Sequence, residues 1–336
     1  MKRSLHISVT VGDALQFEAD VLALKYAQAL YGVDAAVFHR LEEHGLQPRL
    51  PKLAGFTYHD THDCIGAKHV LFVGVKRLRE FGYTEIREFA RKVLVSLAGE
   101  ASNVVHVALT IHGPGYGLDE MEAFESELAG IVDAVTSGDF PEALESIIFI
   151  ENNTGRARRL SAALKKLLPD GSLPVDGRGS ISVLEDQAQN TLRTAGYSSA
   201  AKPHVFVAMP FAEEMDDVFH YGIQGAANAA GLLCERADLS TFTGDVIDWV
   251  KRRISSATLV VADLSSANPN VYLEVGYAWG CRVPTVLLAR NAEDLKFDVK
   301  SQKCILYTSI KSLEDALSRE LQGLSKIAPK QSGNDP

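Results

Sequence analysis

The sequence contains only four cysteines, and they lie far apart along the chain. No two of them form a Cys-x-x-Cys pair, the spacing typical of structural zinc sites. A disulfide framework is not expected either, because such frameworks belong to short, cysteine-dense chains. We therefore expect no structural zinc and no set of disulfides among Cys64, Cys234, Cys281 and Cys304.

Long apolar runs are missing too. No stretch approaches the roughly 18–20 consecutive apolar residues that a membrane helix needs. The N-terminus, MKRSLHISVTVGDALQFEAD, has a short basic start, but acidic residues follow too early for the apolar core of a secretory signal. These absences predict a cytoplasmic protein that does not enter a membrane.

Positive charge is scarce, since 34 lysines and arginines stand against 43 aspartates and glutamates, for a formal net charge of -9. General nucleic-acid binding needs clustered Lys and Arg, so this composition argues against it. A small anionic ligand remains compatible, because backbone N–H groups at a helix start can bind it locally.

What the chain does have is apolar residues in short, regularly spaced runs. Its 336 residues, of which 46% are hydrophobic, suffice for two ordinary domains. Short β-branched runs alternate with amphipathic stretches, which is typical of α/β domains with largely parallel sheets. The predicted strands are His6–Val11, Val21–Lys25, His69–Val73, Val104–Ile111, Ser146–Ile150, His204–Ala208, Leu232–Glu235, Thr258–Ala262, Thr285–Ala289 and Lys303–Tyr307.

Amphipathic segments between these runs predict helices that flank both sheets. The Gly- and Pro-rich segment PDGSLPVDGRGS marks a loop between two domains, followed by one short helix. We expect domains at residues 1–168 and 203–325, a linker at 169–202 and a disordered tail at 326–336. The predicted helices are Tyr83–Leu97, Leu118–Val135, Phe211–Ala230, Gly244–Ser255 and Asn270–Gly280.

Candidate pocket residues lie at the ends of three strands of the C-terminal half. Met209, Pro210 and Phe211 follow the first, Asp263 ends another, and Arg290 follows a third. Because ligands bind at the carboxyl ends of parallel strands, these residues should converge on one pocket.

Glu274 falls about one turn inside the helix that begins near Asn268 and Pro269. The positive helix end should help to keep its carboxylate ionised. A desolvated carboxylate facing a sugar C1′ is what nucleophilic glycosyl transfer requires. A purely structural role for both residues stays open, since a Glu early in a helix is common and an Asp at a strand end often caps a turn.

Four segments carry a resemblance: VFVAMPF at 205–211, FTGDVI at 242–247, VVADLSSANPNVYLEVGYA at 260–278 and LKFDVK at 295–300. Together they resemble the nucleoside 2-deoxyribosyltransferase superfamily and its TIR-like bacterial relatives. The resemblance implies a Rossmann-like or flavodoxin-like domain with Glu274 as catalytic carboxylate and Asp263 as a sugar contact. It also implies substrate-binding roles, which fall on Met209, Pro210, Phe211, Asp245, Asn270 and Tyr277.

Relatives of this kind break a bond between a sugar C1′ and a nitrogen base. The resemblance thus implies an N-glycosidase or transferase whose substrate is NAD, a nucleoside or a nucleotide, with no separate cofactor and no metal. The longer SSANPN loop here departs from the deoxyribosyltransferase pattern, so hydrolysis is as well supported as base exchange. A homodimer and an antiviral defence role are implied in the same way.

The opening segment ISVTVGDALQFEADVLALKYA resembles the start of macro domains, which bind ADP-ribose derivatives. The usual asparagine-rich loop of that class is missing here, because the second strand runs on into LKYAQALYGVD. A ligand loop is predicted at Gly12 and Asp13, and a second in HGPGYG at Gly113, Gly115 and Gly117, although a plain turn explains the latter as well.

The HDTHD cluster at 59–63 has the residue types of a metal site, but without further ligands a polar hairpin or loop is the simpler interpretation. Three hypotheses remain for the whole chain. It is an enzyme acting through Glu274, or a sensor–effector in which the N-terminal half gates that enzyme, or a module that binds a nucleotide without turnover.

Overall fold

The computed structural model describes residues 3–175, 184–236 and 246–325. The chain divides into two compact units. The first unit comprises Met1–Pro114 and Glu120–Ala200, and the second comprises Gly115–Asp119 and Ala201–Pro336.

The first unit is built on a seven-stranded sheet with the order β3-β4-β2-β5-β6-β1-β7. The five inner strands are parallel, and the two edge strands, β3 and β7, are antiparallel to their neighbours. Inner strands such as ADVLALKY are buried on both faces, which explains their unbroken apolar runs. The strands are β1 (Ser4–Val11), β2 (Ala19–Tyr26), β3 (Phe56–Asp60), β4 (Ala67–Gly74), β5 (His106–Thr110), β6 (Ser146–Glu151) and β7 (Ser172–Pro174).

Helices flank this sheet, and two of them pack closely on each other. A Cβ at Gly130 would collide with the carbonyl oxygen of Arg87, so glycine is required where α3 meets α2. Arg87 itself is buried and donates to both carboxylate oxygens of Asp133, at 2.7 Å each. The helices are α1 (Val33–Glu43), α2 (Tyr83–Glu100), α3 (Glu120–Ser137), α4 (Thr154–Leu167) and α5 (Asp186–Thr194).

The second unit contains a five-stranded sheet in which every pairing is parallel. Its order is β12-β11-β10-β8-β9. Counted from the first strand of this sheet, that order is 2-1-3-4-5, the flavodoxin-like doubly wound arrangement. The strands are β8 (His204–Ala208), β9 (Leu233–Glu235), β10 (Leu259–Asp263), β11 (Thr285–Ala289) and β12 (Cys304–Leu306), and the helices are α6 (Gly225–Ala229), α7 (Val246–Ser256), α8 (Pro269–Gly280) and α9 (Ile310–Ser325).

Alternate residues of these strands feed two separate cores. Val205, Val207 and Val261 pack against α9 and the turns before α6. Phe206 and Ala262 point the other way and pack with α7 and α8. Both faces of the sheet are therefore covered, as a fully parallel sheet requires.

The predicted α/β class with two largely parallel, helix-flanked sheets is confirmed, and each predicted strand overlaps an observed one. The prediction of one continuous helix over 211–230 is wrong, since the segment contains a 3₁₀ turn, a π-helix at Val218–Gln224 and the short α6. The segment expected to be a linker contains β7, which was not predicted, and α5, where one short helix was expected. The predicted tail at 326–336 lies outside the described residues.

Among the described residues, no helix is long and apolar enough to cross a membrane.

Candidate functional site

The strand order of the second unit fixes where a ligand would lie. The strand β9 lies on one side of β8, and β10, the next strand in the chain, lies on the other side. The strand order therefore reverses between the adjacent strands β8 and β10. In open parallel sheets the crevice for a ligand lies outside the carboxyl ends of the strands at this switch point. Met209 follows β8, and Asp263 is the last residue of β10. The sequence-predicted residues thus flank the position that topology favours.

Asp263 is fully buried, with 0% of its surface exposed. One carboxylate oxygen accepts the backbone N–H of Ser265 at 2.9 Å, and the other accepts the hydroxyl of Tyr307 at 2.7 Å. Both oxygens are therefore held inside the protein. This differs from the predicted contact with a sugar, since no oxygen of Asp263 reaches the surface in this structure.

The bonds of Asp263 tie together the ends of three strands. Tyr307 follows β12, and the hydroxyl of Ser265 accepts the backbone N–H of Arg290, which follows β11, at 3.0 Å. Burial raises the pKa of Tyr307 to about 12, and the negative charge of Asp263 adds to the rise. Tyr307 therefore stays protonated and keeps donating to Asp263 throughout the neutral range.

Glu274 lies in the second turn of α8. Asn268 caps this helix by accepting the backbone N–H of Asn270 at 2.9 Å, and Pro269 occupies the first helical position. Val271 and Ala278 point into the core. Glu274 is three residues after the first and four before the second, so it lies beside the buried face and is half-buried.

The carboxylate of Glu274 has no hydrogen bond or ion pair within the described part of the chain. Burial raises its pKa from 4.5 to about 7. The direction of this shift is opposite to the one expected from the helix start. The helix dipole acts mainly over the first turn, and Glu274 lies beyond it, so the loss of hydration dominates.

The predicted strand-end loop after β8 has a mixed environment. Met209 and Pro210 are buried, whereas 44% of Phe211 is exposed. The guanidinium of Arg236 lies 4.9 Å from the centre of the Phe211 ring and 4.2 Å from that of Phe219. The exposed part of the Phe211 ring is available to a flat ligand, and the guanidinium of Arg236 packs against the ring.

The remaining predicted residues of this site are less constrained. The side chain of Asn270 is exposed, and Tyr277 is partly buried. A hydrogen bond with Cys281 raises the pKa of Tyr277. Asp245, predicted from the FTGDVI segment, lies outside the described residues.

Sequence reasoning missed Tyr307 and Arg236, and it noted Arg290 only as a strand-end residue. Tyr307 is separated from Asp263 by 44 positions in the chain, so no local pattern links the two. The available signal was position, because Arg236 and Arg290 come directly after predicted strands of the same sheet and Tyr307 is the last residue of another.

In the first unit, Gly12 and Asp13 form a turn after β1. The side chain of Asp13 accepts the backbone N–H of Leu15 at 2.9 Å, and its carbonyl oxygen accepts the N–H groups of Gln16 and Phe17. These bonds account for both residues as turn formers. Their predicted role as a ligand loop stays a prediction.

The predicted Gly113–Gly117 loop is divided between the two units. Gly113 belongs to the first, and Gly115 and Gly117 belong to the second. Gly117 has a φ of 93° and its carbonyl oxygen accepts the N–H of Arg236 at 3.2 Å. Only glycine adopts such a backbone easily, so a turn role explains this residue.

The HDTHD segment forms the end of β3 and the turn that leads to the antiparallel strand β4, so the hairpin interpretation is confirmed. The ring of His59 contacts the carbonyl oxygen of Arg49 at 3.0 Å, and Asp60 accepts the backbone N–H of His62 at 2.6 Å. Within residues 3–175, 184–236 and 246–325, no cluster of three or more His, Cys, Asp or Glu side chains has the arrangement of a metal site.

No family model matches the chain, and no curated protein is similar to it. Solved structures with some similarity include a macrodomain from Oceanobacillus iheyensis with MES bound, at 12% identity, a TM-score of 0.37, and coverage of 50% of this chain and 99% of that one. A Trypanosoma brucei macrodomain in complex with ADP shows 14% identity and a TM-score of 0.38, with coverage of 47% and 69%. Both belong to the class that the opening segment resembles.

Proposed function

We propose that the second unit cleaves or transfers an N-glycosidic bond of a nucleotide-type substrate, with Glu274 as the nucleophilic carboxylate. The observation that carries this proposal is the state of Glu274. Its carboxylate is half-buried, unpartnered within the described residues, and has a pKa of about 7. Strongly perturbed carboxylates of this kind are typical of catalytic sites.

The chemistry follows from that state. In its ionised form, an oxygen of Glu274 attacks C1′ of the sugar, and the C1′–N bond breaks with its electron pair leaving on the base. Water or a second base then attacks the same carbon and releases Glu274. A poorly hydrated carboxylate also stabilises the positive charge that develops at C1′ more than a hydrated one would.

Asp263 has a supporting role in this proposal. Its two hydrogen bonds fix the end of β10 relative to Ser265 and Tyr307. It therefore acts as a positioning residue at the switch point and not as a group that touches the sugar.

The burial of Asp263 favours a second candidate, a module that binds a nucleotide without turnover. A two-carboxylate mechanism needs a second oxygen near the substrate. Asp263 offers none in this structure, since it is 0% exposed.

An assay of base release distinguishes the two candidates. The protein is incubated with NAD, NMN, CMP or a deoxynucleoside, and the free base is measured by chromatography. We expect release by the wild type and a loss of about 10³-fold or more in Glu274→Gln, which corresponds to roughly 4 kcal/mol of barrier.

The matched control is Glu293→Gln, because Glu293 is an exposed carboxylate of the same unit. It should keep the wild-type rate. No release by the wild type with any of these compounds would favour the binding module. A full rate in Glu274→Gln would show that the nucleophile is misassigned.

A further inference from the structure

Arg290 occupies the carboxyl edge of the sheet, next to the switch point. It follows β11, and its backbone N–H donates to the hydroxyl of Ser265 at 3.0 Å. The guanidinium donates a hydrogen bond, 3.3 Å long, to the backbone carbonyl of Glu214, and it also interacts with the hydroxyl of Tyr307. Its side chain is otherwise exposed. The residue is thus anchored at both its main chain and its tip, while part of its N–H fork faces outward.

The positive charge of Arg290 is not balanced by an ion pair within the described residues. Two other arginines of the second unit are paired, Arg253 with Glu235 and Arg236 with Asp216. The carboxylate of Asp263 belongs to the same cluster as Arg290 but accepts from Ser265 and Tyr307. Arg319 also has no ion pair within the described residues, so what sets Arg290 apart is its position at the carboxyl edge of the sheet, in a chain of net charge -9.

The chemistry of the group indicates its ligand. A guanidinium presents several N–H donors in a plane, which matches the oxygens of a phosphate and allows two parallel hydrogen bonds. Its two partners, the Glu214 carbonyl and the Tyr307 hydroxyl, are uncharged, so they leave the positive charge of the guanidinium uncompensated. A phosphate on a nucleotide bound at the switch point would accept hydrogen bonds from the outward-facing N–H groups and would balance the positive charge.

We propose that Arg290 binds a phosphate group of the substrate, so that the second unit selects phosphorylated nucleotides over the corresponding nucleosides. This inference rests on the proposed function for the position of the ligand, but it concerns recognition and not bond cleavage. Arg290 is therefore a specificity-determining residue.

The test measures binding in the Glu274→Gln protein, in which the proposed turnover is blocked. CMP is compared with cytidine, and NMN with nicotinamide riboside, by isothermal titration calorimetry. We expect each nucleotide to bind more tightly than its nucleoside. Adding Arg290→Gln should weaken nucleotide binding by about 30- to 100-fold, in keeping with loss of a charge-assisted hydrogen bond, and should leave nucleoside binding unchanged.

Two further variants control for folding and for charge alone. Arg319→Gln removes an exposed arginine of α9 whose guanidinium also donates to a backbone carbonyl, that of Asp315. It should leave both affinities unchanged. Arg290→Lys keeps the charge without the planar fork and should retain part of the preference for the nucleotide. Thermal unfolding of each variant checks that the fold is intact.

The inference is overturned if nucleotides and nucleosides bind equally well, or if Arg290→Gln weakens both to the same extent. Its failure is distinguishable from that of the proposed function. Absence of base release by the wild type would contradict catalysis while leaving an Arg290-dependent preference for phosphate in place. The converse result, base release without any preference for phosphate, would contradict only the role of Arg290.

Discussion

At the residue scale, the ionisation of Glu274 links the stability of the protein to pH. Its pKa is about 7 in the folded protein and 4.5 in the ordinary state. The folded state therefore holds more protons than the unfolded state between these values. Stability from this group is complete below about pH 4.5 and is lost as the pH rises through about 7.

We therefore predict that Glu274→Gln stabilises the protein at pH 8 and has little effect at pH 4.5. The difference between the two pKa values corresponds to roughly 3 kcal/mol, which is an upper bound for the gain. Urea unfolding at both pH values measures it. Glu293→Gln serves as the control and should show no such dependence, whereas an equal effect of Glu274→Gln at both pH values would argue against a buried carboxylate.

The Tyr307–Asp263 bond gives a second prediction at this scale. Tyr307→Phe removes a donor from a carboxylate that is fully buried, and it should lower the free energy of unfolding by about 1–3 kcal/mol. The midpoint of urea unfolding measures this loss. Tyr221→Phe, in which an exposed tyrosine of the same unit loses its hydroxyl, should be close to neutral. Equal effects of the two substitutions would show that the bond contributes little.

At the element scale, the packing of α3 on α2 depends on the absence of a side chain at Gly130. Gly130→Ala should destabilise the protein by about 1–3 kcal/mol, since its Cβ would collide with the backbone at Arg87. Gly99→Ala, in α2, meets no atom within 4 Å and should stabilise by about 0.5–1 kcal/mol through helix propensity. Urea unfolding compares the two, and effects of the same sign would contradict this packing.

The elements also show what the sequence can and cannot predict. Inner strands such as β8 and β11 were predicted with their observed ends, because buried parallel strands are unbroken apolar runs. The edge strand β3 was missed, since its residues FTYHD are only partly buried and form no unbroken apolar run, and β7 is only three residues long. The break in the 211–230 segment was also missed, because the spacing of its apolar residues was interpreted as one amphipathic helix, whereas residues 218–224 form a π-helix.

The candidate site likewise has features that the sequence predicts and features that it does not. Glu274 and Asp263 were found from their local motif, and the order of the strands explains why they lie at the switch point. The raised pKa of Glu274 depends on its burial in the folded protein, and the hydrogen bond that holds Asp263 comes from Tyr307, which is distant in the chain. No local pattern contains that information.

At the scale of the whole molecule, the proposed activity should depend on pH through Glu274. A nucleophile must be ionised, so kcat/KM for base release should rise about tenfold per pH unit below about pH 7 and level off above it. An ordinary glutamate would reach its plateau near pH 5.5. Initial rates at low substrate concentration between pH 5 and 9 measure the profile. A profile that is flat above pH 5.5 would contradict the role of a desolvated carboxylate.

The most direct measurement is the titration of Glu274 itself, followed by the side-chain carboxyl resonance in protein with ¹³C-labelled glutamate. The resonance is identified by its absence from Glu274→Gln. We predict a midpoint near pH 7, as burial without a partner requires. A midpoint near 4.5 would show a hydrated or paired carboxylate and would contradict the central claim.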